Sequence, residues 1–104
     1  MAYSEVKAAK PNPSRIVGTW DGGNESSTAM RVARGQTVNI NMNWTSGTYQ
    51  IQSSPVGANQ YMPMLYNGSY DIGADAAITF TAPANCLLRI TGATLVGVAV
   101  IDRA

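Results

Sequence analysis

Thr37-Val38-Asn39-Ile40-Asn41-Met42-Asn43-Trp44 alternates polar and apolar residues without a break. Alternation of this length marks a β-strand with one wet face and one dry face. A helix would spread Val38, Ile40, Met42 and Trp44 around its circumference, and the three asparagines disfavour a helix interior.

Segments of the same kind lie on both sides. Upstream, residues 15–20 set Ile16, Gly18 and Trp20 against Val17 and Thr19, and Asp21-Gly22-Gly23-Asn24 turns the chain. Residues 29–34 alternate Met30 and Val32 with Arg31 and Ala33. Downstream, Ser46-Gly47 reads as a turn before a strand at 48–53, and Pro55 and Gly57 centre the next loop. Pro63 restricts 60–66 to an edge strand or irregular crossing, since proline gives no ladder donor. Asn67-Gly68 is a hairpin signal. Residues 76–82 alternate with Ile78 and Phe80 inward, Pro83-Ala84-Asn85 turns, and strands at 86–90 and 94–102 meet at Thr91-Gly92. Eight or nine short strands with frequent turn signals predict an all-β fold. The expected architecture is a single small β-sandwich, jelly-roll or immunoglobulin-like, over residues 15–104.

Residues 1–14 differ. They hold both lysines, Lys7 and Lys10, and end in Pro11-Asn12-Pro13. This predicts an extended N-terminal arm. Residues 4–10 also admit a helical turn or two, marginal alone. Two readings stay open: a frayed chain end, or an arm that orders on a neighbouring subunit.

The 104 residues suit one domain with a small core, and 45% of them are apolar. Only 12% are charged, so Ser, Thr, Asn, Gln and Gly must supply the polar surface. A net charge of +1 is no match for a nucleic-acid backbone. The apolar run at 93–101 is too short for a membrane span, and no export signal is read at 1–10. Synthesis in a cytoplasm is expected, and the three Asn-X-Ser/Thr triplets are read as incidental.

Catalytic kits are missing. The chain has no histidine, which removes the commonest general base and metal ligand and any Ser-His-Asp or Cys-His pair. Cys86, the single cysteine, opens an apolar strand with no neighbouring cation and reads as a buried, inert thiol. Asp21 with Glu25 and Asp71 with Asp75 are the close carboxylate pairs; both fall on turns, where Asp commonly bonds nearby backbone. No nucleotide loop is present. The expectation is a non-enzyme without cofactor or metal. Trp44 and Phe80 read as core, while Tyr61, Tyr66 and Tyr70 gather around the proline-broken edge and suit either packing or contact with a partner.

Residues 95–101 are apolar at every position, so both faces of that strand are dry. One face packs on the core. The other needs the chain's own loops or another subunit. The closing pattern over 76–102 runs from an apolar strand through the Pro83-Ala84-Asn85 turn, Leu87-Leu88-Arg89-Ile90 and Gly92 to a second apolar strand. In this style the chain resembles the small decoration, or cement, proteins of tailed-bacteriophage capsids. The resemblance implies a structural virion protein, made in the host cytoplasm, that binds the outer capsid surface and bridges capsomers. Its implied partners are the major capsid protein and copies of itself, as a dimer or trimer. On that reading Val96, Val98 and Val100, or the edge at Tyr61 and Tyr66, make subunit contacts. Lys7, Lys10 and Arg15 meet an acidic shell. The alternative is a glycan-binding or adhesin module, perhaps of a phage tail or fibre, with Trp20, Tyr61, Tyr66 or Tyr70 as stacking platforms.

Overall fold

A computed structural model describes residues 3–7 and 13–103. They form one antiparallel sheet of seven strands, with no helix among the described residues. The strands are β1 (Tyr3–Lys7), β2 (Arg15–Gly23), β3 (Met30–Val32), β4 (Thr37–Pro55), β5 (Met62–Pro63), β6 (Ala76–Thr81) and β7 (Cys86–Arg103). Their order is β1-β2-β7-β4-β5, with β3 added along β7 and β6 along β4.

Two strands carry the architecture. β4 has 19 residues and β7 has 18, and they pair from Val38↔Arg103 to Pro55↔Cys86. Straight strands of that length would reach about 60 Å. The longest dimension of the molecule is 33 Å. Both strands therefore bend midway, where the ladder slips at Trp44/Ser46 and again at Ser46/Thr48. Gly47 sits there at φ 81° and Thr94, on the opposing strand, at φ 47°. Bulges of this kind bend a strand without ending its pairing. The Trp44 indole N–H donates to the Gly47 carbonyl at 2.9 Å, and the Thr94 N–H donates to Asn24 Oδ1 at 2.8 Å. Each bond holds one corner.

Ser46-Gly47 and Thr91-Gly92 do not separate strands, and the described residues from 13 to 103 carry six strands, two of them long, in place of the eight or nine short ones expected there. Positive φ at a turn-forming residue reverses a chain only when the ladder stops. Here the partner strand bends in step and the ladder resumes.

The inner face is continuous across the bend. Ile16, Trp20, Val38, Ile40, Met42, Leu95 and Ile101 on one side, and Met30, Val32, Tyr49, Ile51, Leu88 and Ile90 on the other, belong to one buried cluster. Each fully buried aliphatic side chain contributes about 1.5–3 kcal/mol. Residues 24–28 brace the corner. The Ser27 N–H donates to the Ile90 carbonyl at 2.8 Å and Ser27 Oγ accepts from the Ile90 N–H at 3.0 Å, while Gly92 N–H donates to the Glu25 carbonyl at 3.1 Å. The Asn67-Gly68 hairpin forms as its dipeptide predicts: Asn67 and Gly68 both have positive φ, and Tyr66 and Ser69 exchange two backbone bonds of 2.8 and 3.1 Å.

Tyr3–Lys7 is a strand on the edge of β2, from Tyr3↔Trp20 to Lys7↔Ile16, and not a helical turn. Residues 8–10 of that expectation lie outside the described residues. Pairing prevails because it places Tyr3 against Trp20, with ring centroids 4.5 Å apart, and turns Glu5 toward Thr28. Glu5 accepts from the Thr28 N–H at 2.9 Å and from the Thr28 and Tyr3 hydroxyls, with Lys7 Nζ 3.6 Å away. Burial pushes the Glu5 carboxyl up, but these hydrogen bonds and the Lys7 charge outweigh it and hold the group below its ordinary value. The stabilisation is therefore present at neutral pH and is lost as pH falls from the ordinary carboxyl range, about 4.3, through the lowered folded value. Amide exchange in β1 is expected to quicken in acid before exchange in β4 does. Glu5→Gln is expected to bring the same local loosening at neutral pH, about 1–3 kcal/mol. Unchanged β1 protection in that variant would show that Glu5 does not clasp the strand.

Candidate interaction surface

The outer face of β1, β2, the end of β7, the start of β4 and β6 is where the low-charge composition gathers. Register places Val6, Val17, Val100, Asn41 and Ala77 in one row straight across these strands. Ser4, Thr19, Val98 and Asn43 form the next row. Arg15, Asp102, Asn39 and Thr79 form the row on the other side. The period of two in β7 sends Leu95, Ala99 and Ile101 to the core and leaves Val96, Val98 and Val100 outside. Val6 is 72% exposed and Val98 39%, and Val17, Val96 and Val100 are half-buried. Among the described residues, Arg15, Asp102 and Asp21 are the charged residues of the face. Two shallow depressions mark it, one lined by Arg15, Asn39, Asn41, Ala77, Val100 and Asp102, the other by Thr19, Asp21, Asn43, Thr45, Val96 and Val98.

The predicted contact residues divide. Val96, Val98, Val100 and Arg15 come together on this face. Lys7 does not join them: it projects from the opposite side of β1, in the row of Ile16, beside Glu5. Lys10 lies outside the described residues. Tyr61 and Tyr66 belong to the β5 margin at the other half of β4. The Arg89 guanidinium lies over the Tyr61 ring, 3.6 Å from its centroid, and Tyr66 packs half-buried against the core. Met62 and Leu65 are the more exposed apolar residues there, at 67% and 61%. The row also contains Val6 and Val17. Val17 was legible from its alternation with Ile16, whereas Val6 required the pairing of β1 with β2, which no local pattern encodes.

The stacking platforms of the glycan reading are largely taken. Trp20 is 1% exposed, and its indole N–H donates to the Glu25 carbonyl at 2.9 Å. That position in the core corrects the expectation of an exposed Trp20: the alternation that faces it inward also places Gly18 and Gly92 beneath its ring. One face of Tyr61 is covered by Arg89, and Tyr70 is 50% exposed. Beside it the polar groups satisfy one another. Arg89 Nε donates to Gln52 Oε1 at 3.0 Å, Gln52 Nε2 to Gln50 Oε1 at 2.9 Å, and Gln50 Nε2 to Asp71 Oδ1 at 2.8 Å.

The remaining reactive groups serve the fold. Asp75 Oδ1 accepts the Trp44 N–H at 2.7 Å, next to the β4 bend. Tyr49 donates its hydroxyl to the Ala74 carbonyl at 2.8 Å, and burial, with the nearby Tyr66 and Asp75, raises its pKa. Burial likewise pushes the Cys86 thiol up, away from the thiolate a nucleophile needs. Among the described residues, no three of His, Cys, Asp and Glu gather as a metal cluster. No family model matches this chain, and no curated protein matches it.

Proposed function

We propose that this chain is a structural virion protein that binds the outside of a tailed-phage capsid and stabilises it by bridging capsomers. The observation that carries the reading is the outer face around Val17, Val98 and Val100. It is a broad sheet surface of valine, asparagine and threonine with few charges, suited to contact with another large surface through apolar and neutral polar groups. Repetition by symmetry would let modest single contacts add up on a shell. In this reading the two halves of the bent sheet are the layers of a small β-sandwich, the chain acts without catalysis, cofactor or metal, and it associates with itself as well as with the major capsid protein.

The test is co-sedimentation of the purified chain with empty, expanded tailed-phage shells. Saturable binding at a fixed number of copies per capsomer is expected. The tryptophan fluorescence should stay unchanged across a panel of glycans. Absence of shell binding together with a saturable glycan response would replace this reading with the glycan-binding one.

A further inference from the structure

We infer that the outer face is an isologous interface: two copies of this chain pack it against itself about a two-fold axis running along the strands between β2 and β7. The inference deepens the self-association in the reading above and rests on it. Three observations fit together.

The first is charge. Arg15 and Asp102 face each other across the β2–β7 ladder. Among the described residues neither makes an ion pair or a side-chain hydrogen bond. A two-fold axis between these strands exchanges the two positions, so Arg15 of each copy meets Asp102 of the other. Opposite charges left unpaired in one copy become two reciprocal pairs in the dimer.

The second is shape and polarity. The same axis exchanges Val17 with Val100 and Thr19 with Val98, which are paired in register across the same ladder. The centre of the interface is then apolar and the asparagines of β4 form its polar margin, the usual anatomy of such contacts. Val6, exposed on β1, reaches the level of the other copy's Asn41 and covers the valine centre from the side.

The third is area. The axis exchanges β1 with β4 as well as β2 with β7, so four strands overlap; at about 4.8 Å spacing and about 20 Å of length each they offer roughly 380 Å² per copy. Two such faces together reach about 770 Å², the size of a weak, transient interface and below the roughly 1,000 Å² of a stable one. The dimer is therefore expected to be reversible and dependent on concentration.

The experiment is light scattering across a concentration series, with charge-exchange variants. The unchanged chain should rise from its 11.0 kDa monomer toward twice that mass. Arg15→Asp alone and Asp102→Arg alone should each weaken self-association at least about tenfold, because like charges meet across the axis. An equimolar mixture of the two variants should dimerise again, since every acidic face then meets a basic one. That rescue separates an interface role from a structural one. Val98→Asp, at an exposed position, should also give a folded monomer by circular dichroism. A monomer at every concentration, a discrete trimer, single variants that dimerise unchanged, or a mixture that fails to recover would each overturn the inference. Shell sedimentation is scored separately: loss of shell binding with the dimer intact removes the capsid reading and leaves the two-fold interface standing.

Discussion

Replacement of Gly47 by alanine is expected to lower stability by about 2–5 kcal/mol, a large part of what a small domain possesses. Gly47 occupies the bend of β4 at φ 81°, a conformation that costs an alanine about 1–2 kcal/mol. The greater difficulty is space. A Cβ there would lie 2.2 Å from the Thr94 carbonyl oxygen and 2.8 Å from the Leu95 Cα. Both are backbone atoms of β7, so relief requires the two bent strands to separate at their shared corner. Overpacking of this kind adds about 1–3 kcal/mol. Gly57 supplies the control. It has φ 86° but nothing within 4 Å of its would-be Cβ, so Gly57→Ala should show the conformational cost alone. Urea denaturation of the two variants measures the difference. Equal midpoints would mean that the close approach of β4 and β7 at Gly47 is not what sets the bend.

Trp20→Ala is expected to cost a similar 3–5 kcal/mol. Trp20 fills the junction of β1, β2 and the β7 corner. Its ring lies 3.0–3.1 Å from where side chains at Gly18 and Gly92 would begin, and Tyr3 packs on it. Truncation leaves a cavity that backbone on two sides cannot close, removes the donor to the Glu25 carbonyl and takes away the support of Tyr3. Trp20→Phe keeps most of the ring and loses the N–H, and should cost about 1–2 kcal/mol. Alongside global denaturation, amide exchange should show β1 loosening in Trp20→Ala beyond the average of the sheet. Destabilisation with β1 protection unchanged relative to β4 would assign the anchoring of Tyr3–Lys7 to the Glu5 clasp alone.

The two variants probe one idea from different sides. The bend of β4 and β7 creates the single core, and the residues that stay outside it make the proposed interaction surface. A change at Gly47 should disturb both. The charge exchange at Arg15 and Asp102 touches only the outer face, so its effect on association is separable from effects on folding.

Much of this was legible from the chain itself. The alternation over 37–44 assigned Val38, Ile40 and Met42 to the core and Asn39, Asn41 and Asn43 to solvent, because a strand's period of two depends on backbone geometry and needs no partner. The same rule set Ile16 and Trp20 on one side of their strand and Val17 on the other, but left open which side faces the core. Asn67-Gly68 specified its hairpin through local backbone preferences alone. The absence of histidine removes the commonest general base and metal ligand from the chain.

Other features depend on residues far apart in the sequence, and only the tertiary structure decided them. Ser46-Gly47 has turn chemistry, yet whether it reverses or merely bends the chain depends on Thr94 and Leu95 bending beside it. Tyr3–Lys7 carries no strong local preference, and its strand exists because Trp20, Thr28 and the open edge of β2 receive it. The valine face has the same origin: Val6, Val17 and Val100 are scattered singly along the chain and become one row only through the β1–β2 and β2–β7 registers. Periodicity is encoded locally, so the sequence by itself determined which side is dry where apolar and polar residues alternate, as over 37–44. Register and bending arise from contacts across the sheet, so only the fold decided which outward residues become neighbours.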